Sequence, residues 1–343
     1  MPWGLIGQER PLTVLTDMLR KQRLPHGLLF HGPLGTGKYS LALALAQALN
    51  CENPGPDMSP CRKCRSCGKI AEGAHPDVIT LTPKGKLNII PIEYVRELRE
   101  ALSFQAYEGK YKVAIIRDAH RFRDDAGGAL LKTLEEPTPD TVLILTAESP
   151  SRVLETLVSR CVRLKLSPLS RTQIMGALSQ KGFELKASCV LAGLSGGALG
   201  VALGLDSETT LSIWGHVDRL LGIPERAKFL KAAIDWTNQI AAEVDKITKA
   251  EDDPRAKANF LGLIQNSIRL WWRDVTALAA TADSAFLLGP PPSAAQKTWS
   301  RKVTARMVGG LETSMAKLSD GLNRSMRAAL LFENYWLDVL EYF

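Results

Sequence analysis

The chain has 343 residues and a formal net charge of +7, and its length is enough for two or three domains. No apolar run approaches the ~20 residues that a membrane span needs. The N-terminus lacks a basic segment before an apolar one, so we expect no signal peptide and a cytoplasmic location. Lysine and arginine are dispersed, which supports only a weak attraction to nucleic acid.

The first pattern along the chain is a helix followed by a strand, a glycine-rich loop and a second helix. Residues 10–21 carry apolar side chains at helical spacing. The segment 5–8 just before them is compatible with contact to a nucleotide base and, taken without the loop that follows, equally with an ordinary lead-in to the helix. Residues 27–30 predict a buried strand, and residues 41–49 predict a helix of strong helix formers. This succession is the context that a phosphate-binding P-loop requires.

Residues 32–38 complete the P-loop pattern G-x-x-x-x-G-K. The loop's backbone N–H groups and the helix N-terminus favour phosphate, and the lysine adds a point charge. The candidate nucleotide-binding residues are Gly32, Gly35, Thr36, Gly37, Lys38 and Tyr39. The last of these stands where a serine or threonine hydroxyl would bind Mg²⁺. The sequence therefore predicts binding of ATP or ADP and makes hydrolysis doubtful.

Four of the six cysteines follow the P-loop helix closely: Cys51, Cys61, Cys64 and Cys67. Four thiolates suit a closed tetrahedral zinc site, and C-x2-C lets two sulfurs reach one ion across a tight turn. In a chain expected to be cytoplasmic, such a cluster favours metal over disulfides. We predict a structural zinc ion, and we interpret the nearby His75 as a turn residue rather than a further ligand.

The next segments alternate between predicted strands and helices. Strands are predicted at residues 78–81, 112–116 and 141–146, and helices at residues 92–102 and 124–136. The strand ending at residue 116 leads into Arg117 and Asp118. A P-loop ATPase carries acidic help at this point, so the arginine is a second argument against hydrolysis.

Pro168 marks a predicted boundary, after which the pattern is almost wholly helical. Residues 170–205 predict a small helical domain, and apolar stripes continue to a last helix at about residues 321–340. The tryptophans and leucines of these stripes are typical of a helix–helix core. The segments 251–254 and 289–292 are predicted loops, and the basic segment 297–306 is predicted to be a solvated face.

Taken together, these segments resemble the delta-prime family of bacterial DNA polymerase III clamp-loader subunits, which belongs to the AAA+ class. The resemblance covers essentially the whole chain. It rests on residues 5–8, 32–38, 75–77, 134–137 and 159–161 and on the four-cysteine insertion. It implies an α/β AAA+ P-loop domain with a parallel sheet and zinc module (1–167, module 51–67), a small helical lid domain (168–205) and an all-α collar domain (206–343).

The resemblance also implies a role for Arg160, in the motif Ser159-Arg160-Cys161. Without the resemblance, this arginine is better explained as a solvated surface residue. Members of the family use the matching arginine to complete the ATP site of a neighbour in trans. The implied partners are gamma/tau and delta subunits in a hetero-pentamer that places a sliding clamp on primed DNA.

Two other functions remain open from the sequence. The complete glycine pattern and Lys38 are compatible with a gamma/tau-type ATPase motor. Against that, the motor subunits carry Ser or Thr, an Asp-Glu pair and an arginine where this chain has Tyr39, Arg117-Asp118 and Gly200. The cysteines and the basic charge are compatible with a zinc-bearing nucleic-acid-binding module. The resemblance favours a subunit with little or no ATPase activity of its own.

Overall fold

The computed structural model describes residues 2–85, 88–122, 124–250 and 254–343. The chain divides into two compact units. The first contains residues 1–173 and 197–201, and the second contains residues 174–196 and 202–343.

The first unit is built on a five-stranded parallel sheet. Its strands are β1 (Gly27–His31), β2 (Val78–Leu81), β3 (Lys112–Ile116), β4 (Thr141–Ala147) and β5 (Val162–Lys165). The order across the sheet is β2-β3-β4-β1-β5. The three central strands are short apolar runs that are almost fully buried, as expected for a parallel sheet covered on both faces.

Helices cover both faces of this sheet. They are α1 (Glu9–Arg20), α2 (Lys38–Leu49), α3 (Arg65–Glu72), α4 (Ile92–Ser103), α5 (Asp124–Glu135) and the short α6 (Glu155–Val158), with 3₁₀ turns at Pro2–Gly4, Ala119–Arg121 and Pro150–Arg152. Alternate residues of β1 enter opposite cores: Leu28 and Phe30 pack with α1 and α2, whereas Leu29 packs with α4, α5 and α6. The period-2 geometry of a strand produces this division.

The carboxyl ends of the central strands meet at one edge of the sheet. His31 lies opposite Ala147 of β4 and Lys165 of β5. The P-loop, which follows β1, and the polar residues that follow β3 and β4 therefore share this edge, where ligands bind in open parallel sheets.

The second unit is helical, and its core is rich in tryptophan. Its helices are α8 (Leu185–Leu194), α10 (Ser207–Leu221), α11 (Arg226–Ala250), α12 (Pro254–Thr281), α13 (Ala294–Ser300), α14 (Ala305–Asn323) and α15 (Ala328–Leu340), with a 3₁₀ turn at Ser284–Phe286. A unit boundary falls inside α7 (Arg171–Gln180) and inside α9 (Leu199–Gly204). Trp236, Trp272 and Trp336 lie in the core, so the predicted apolar stripes are confirmed.

The predicted last helix is wrong in its extent. Gly321 belongs to α14, and a separate helix begins at Ala328. The break is a helix C-cap in which Ser325 has φ +59° and the Met326 N–H donates to the Gly321 carbonyl at 3.0 Å. That is the 6→1 bond of a Schellman motif.

The predicted loops fare differently. Residues 289–292 lie between helices, as expected. Of the segment 251–254, residues 251–253 lie outside the described residues, and Pro254 begins α12. Helix α3 lies in a segment for which the sequence predicts only the cysteine cluster.

The predicted fold class is confirmed in its main features, an α/β P-loop domain with a parallel sheet followed by a helical portion. The two domain boundaries at 167/168 and 205/206 remain predictions. Within the described ranges, none of the helices combines the length and apolar character of a candidate membrane span.

Candidate functional site

The P-loop runs from the end of β1 into the first turn of α2. Gly35 has φ +73° and Gly37 has φ +92°, a backbone conformation that side chains other than glycine's rarely allow. Gly37 is the residue that caps α2. The two glycines therefore make the turn that a phosphate cradle needs, and the helix N-terminus follows directly.

Lys38 is turned into its own loop. Its ammonium donates to the Gly32 carbonyl at 2.6 Å and to the Pro33 carbonyl at 2.7 Å, and the residue is 7% exposed. Burial lowers the pKa of Lys38, while the carboxylates of Asp118 and Glu148 act in the opposite direction. The charge that would bind a phosphate is thus occupied by backbone carbonyls.

Gly200 contacts the P-loop through its backbone. Its N–H donates to the Gly35 carbonyl at 3.0 Å. A Cβ at position 200 would lie 3.3 Å from the Cα and from the carbonyl oxygen of Gly35. A long side chain at this position would therefore have to push the loop aside.

Tyr39 and Arg117, the two departures from a hydrolytic site, contact each other. The Arg117 guanidinium lies 4.5 Å from the centre of the Tyr39 ring, within the range of a cation–π interaction. The ring occupies the position of a metal-binding hydroxyl, and the cation occupies the position of a carboxylate. Neither side chain offers the carboxylate oxygen that Mg²⁺ prefers.

Asp118 is the acid that remains after β3. It has φ +52°, and its N–H donates to the Thr146 hydroxyl of β4 at 3.1 Å. Gln8, predicted to approach a nucleotide base, is buried and donates to the Ser167 carbonyl at 2.9 Å. Gln8 thus ties the start of the chain to the segment after β5, and its contact with a base remains a prediction.

The four predicted cysteine ligands lie together. The Sγ atoms of Cys51, Cys61, Cys64 and Cys67 are all within 4.8 Å of one another, so they could hold a metal ion. Cys51 follows α2, and Cys64 caps α3, where its sulfur accepts the Cys67 N–H. The site is therefore built from two helix ends and the loop between them.

Backbone N–H groups point at these sulfurs. Cys61 accepts from Lys63 at 3.5 Å and from Cys64 at 3.3 Å, and these two donors lower its thiol pKa to about 6. Arg62, which lies between Cys61 and Cys64, has φ +59°. This left-handed conformation makes the tight turn that C-x2-C needs. A thiolate is the form that binds metal, so these donors favour the ligating state of Cys61, whereas burial raises the thiol pKa of Cys51 and of Cys67.

His75 lies outside the cysteine cluster, in agreement with its interpretation as a turn residue. Its Nδ1 accepts the Asp77 N–H at 3.1 Å. The Asp77 carboxylate in turn accepts the N–H groups of residues 107, 108 and 109 at 2.7, 2.9 and 2.8 Å. Burial raises the Asp77 pKa, but these donors outweigh it and the net shift is downward.

Arg160 lies between α6 and β5, and its side chain is 38% exposed. One guanidinium nitrogen is 2.5 Å from a carboxylate oxygen of Glu135, and the other donates to the Thr156 carbonyl at 3.1 Å. The neighbouring Cys161 is partly buried, and burial raises its thiol pKa to about 11. The motif thus pairs an accessible cation with an inert thiol.

Sequence reasoning missed three of these contacts. The Tyr39–Arg117 pair, the Gly200–Gly35 bond and the Arg160–Glu135 ion pair each join residues far apart in the chain. Each of these residues belongs to a sequence motif, but a motif does not indicate which of its residues contact residues of another motif.

The comparisons with known proteins agree with this site. A family model described as "DNA polymerase III, delta subunit" matches residues 7–170. DNA polymerase III subunit delta' of Bacillus subtilis (strain 168) is 36% identical over 188 residues, which are 55% of this chain and 56% of that protein. Subunit delta' of Pseudomonas aeruginosa is 40% identical over 138 residues, 40% of this chain and 42% of the relative. Subunit tau of Escherichia coli (strain K12) is 33% identical over 219 residues, 62% of this chain and 33% of the relative.

The strand order and the loop after β1 define the first unit as an α/β P-loop domain with a parallel sheet. Residues 7–170, which include the P-loop, the cysteine cluster and Arg160, match the model of the DNA polymerase III delta-subunit family and are similar to subunit delta' of Bacillus subtilis. The chain spans about half the length of the delta' relatives that it matches.

Proposed function

We propose that this protein is a delta-prime-type clamp-loader subunit of a bacterial DNA polymerase III holoenzyme. In this role it lends Arg160 to the ATP site of an adjacent gamma or tau subunit. The observation that carries the proposal is the contrast between an exposed Arg160 and a P-loop whose lysine is bound to its own carbonyls. The match of residues 7–170 to the family supports it.

The proposal includes the setting in which the subunit acts. It is a cytoplasmic member of a hetero-pentamer with gamma/tau and delta subunits, which opens the sliding clamp and places it on primed DNA. Residues 168–205 form its lid and residues 206–343 its collar. The four cysteines hold one structural zinc ion, which is supported by their proximity and by the N–H donors to Cys61 and Cys64. The nucleotide-binding residues are those of the P-loop, Gly32 to Tyr39, with ATP or ADP as ligand.

An arginine supplied in trans stabilises the charge that develops on the transferred phosphoryl group. Removing it should therefore slow hydrolysis with little effect on assembly. We expect Arg160→Ala to lower the DNA-stimulated ATPase at the site it serves by ~10³ or more. The measurement is ATP turnover by the complex reconstituted with its motor subunits.

Arg163 offers a matched control, because it is an exposed arginine three positions further along the chain. Arg163→Ala should leave complex ATPase close to the unsubstituted level. Size-exclusion chromatography of each reconstituted complex establishes that both variants assemble. Normal ATPase activity in an assembled Arg160→Ala complex would refute the proposal.

A second candidate is an ATPase motor of the gamma/tau type. It is favoured by the match to subunit tau over 62% of this chain and by the complete P-loop pattern. The two functions separate in the purified chain alone, with Mg²⁺ and primed DNA. Turnover at the rate of a motor subunit would support the second candidate, and its absence supports the first.

A further inference from the structure

The ion pair between Arg160 and Glu135 joins two motifs that lie 25 positions apart in the sequence. Glu135 is the last residue of α5, within Leu134-Glu135-Glu136-Pro137. The distance between Nη2 of the arginine and Oε1 of the glutamate is 2.5 Å. The glutamate side chain is 49% exposed, so neither partner is sealed from a neighbouring subunit.

Both terminal nitrogens of the guanidinium are held by this chain. Nη2 meets Glu135, and Nη1 donates to the Thr156 carbonyl at 3.1 Å and lies 3.4 Å from the Ser159 hydroxyl. A guanidinium carries five N–H donors in a rigid fork. Two fixed contacts are enough to set its plane, and donors remain for a phosphate.

The backbone at this corner is fixed by close packing. A Cβ at Gly27, the first residue of β1, would lie 2.9 Å from the Arg160 carbonyl oxygen and 2.8 Å from a methyl group of Leu134. Both motifs therefore pack against the same point of the sheet. Their backbones are placed by this contact, and the long arginine side chain is the part that still needs orientation.

We propose that Glu135 is a positioning residue for Arg160, which holds the guanidinium oriented before a neighbour's phosphate arrives. This inference rests on the proposed function of Arg160. Preorganisation of this kind lets the charge act without a reorganisation cost at the moment of reaction. Glu135 itself touches neither nucleotide nor the reacting atoms.

The exposure of the Glu135–Arg160 pair indicates whether Glu135 orients Arg160 for a phosphate group or withholds it from one. Exposed ion pairs shift an equilibrium by only about 1.5- to 5-fold. That is too little to withhold the arginine from a phosphate group, but it is enough to bias the rotamers of a flexible side chain. Glu135 therefore favours one orientation of Arg160 and does not trap it.

The test uses Glu135→Gln in the reconstituted clamp-loader complex. We expect the kcat of DNA-stimulated ATP hydrolysis to fall about two- to fivefold, with KM for ATP little changed. Glu136→Gln is the matched control, since Glu136 is the adjacent exposed glutamate and forms no described ion pair with Arg160. Its kcat should equal that of the unsubstituted complex.

A double substitution separates positioning from a general structural role. Glu135→Gln should have no further effect on single-turnover hydrolysis when Arg160 is already alanine. A loss that persists in the Arg160→Ala background would assign Glu135 to folding and overturn the inference. Raised activity of Glu135→Gln would also overturn it, because that is the result expected of an inhibitory latch.

The same experiment distinguishes failure of the inference from failure of the proposed function. If Arg160→Ala impairs the complex and Glu135→Gln does not, the inference is wrong and the function stands. If Arg160→Ala is itself without effect, both are wrong. High salt adds a further check, because screening of the pair should bring the unsubstituted complex closer to the Glu135→Gln complex.

Discussion

The P-loop and the turn that carries Arg160, residues 155–161, lie on the same α/β unit. Their cationic side chains differ in how accessible they are. Lys38 is buried and bound to two carbonyls of its own loop, and Arg117 lies on the Tyr39 ring. Arg160 is held by contacts at its two terminal nitrogens and remains accessible. The first region satisfies its charges internally, whereas the second presents a charge to the outside.

A complete sequence motif and a chemically competent site are therefore separate properties. The P-loop pattern is complete from Gly32 to Lys38, and yet the groups that would bind Mg²⁺ are replaced by a contacting pair. The Arg160 motif is only three residues long, and the structure gives it both accessibility and support. Of the two cations, Arg160 is the one whose side chain is accessible from outside the chain.

Removal of the metal should have the largest effect on stability, and this effect should be confined to the cysteine module. We expect about one zinc ion per chain, and stripping it should destabilise the cysteine module by about 10 kcal/mol. Hydrogen exchange should show loss of protection at residues 51–72 and at the C-terminal end of α2. Protection at residues 155–161 should be kept, because that corner lies elsewhere on the unit.

Two variants test the metal site itself. Cys64→Ser should abolish stoichiometric zinc in metal analysis, since it removes one of four ligands. His75→Ala should keep the zinc, because His75 lies outside the cluster. Full zinc content in Cys64→Ser would contradict the assignment of the four cysteines as ligands. Loss of hydrogen-exchange protection at residues 155–161 on zinc removal would show that the two regions are not independent.

Asp77 gives a pH-dependent prediction for the strand that leads to Arg117. Its folded-state pKa is lowered, so its stabilising effect is present above its unfolded pKa of about 3.9 and is lost as pH falls through the folded value. Asp77→Asn should cost about 2 kcal/mol at pH 7. Urea unfolding should show this difference shrinking below about pH 4.

The exposed Asp17 is the control for that series, and Asp17→Asn should unfold like the parent protein at each pH. The loss in free energy of unfolding caused by Asp77→Asn should therefore depend on pH. If this loss were the same from pH 7 to pH 3, the charge of the Asp77 carboxylate would not be the source of the stabilisation by the N–H groups of residues 107–109.

The smallest effect concerns the metal preference of the P-loop. The double variant Tyr39→Thr/Arg117→Asp restores a hydroxyl and a carboxylate where Mg²⁺ ligands belong. We expect it to bind ATP about tenfold more tightly with Mg²⁺ than with EDTA, a gain of about 1.4 kcal/mol. A fluorescent nucleotide titration of the isolated chain measures both conditions.

Tyr39→Phe is the matched control for that titration, because it keeps an aromatic ring beside Arg117 and adds no metal ligand. It should show no preference for Mg²⁺, and neither should the parent chain. A strong Mg²⁺ preference in the parent chain would break the comparison, since its own site would then have the metal chemistry that the Tyr39–Arg117 pair argues against.

Local patterns allowed much of the fold and site to be predicted. The strand–loop–helix order of the P-loop, the buried strands and the cysteine cluster follow from spacing and periodicity. The end of α14 did not, because a helix C-cap with a left-handed residue at Ser325 lacks the usual glycine. The Glu135–Arg160 pair was also out of reach, since it depends on how α5 and β5 pack beside β1.

The close contact at Gly27 has a mechanical consequence. One end of β1 carries the glycine-rich loop, and the other end abuts the peptide of Arg160. About 16 Å of hydrogen-bonded strand separates them, at ~3.3 Å per residue, and this strand lies between two neighbours in the sheet. It acts as a stiff spacer, so the position of the P-loop backbone and the position of the Arg160 backbone are mechanically linked through β1, whether or not the loop hydrolyses nucleotide.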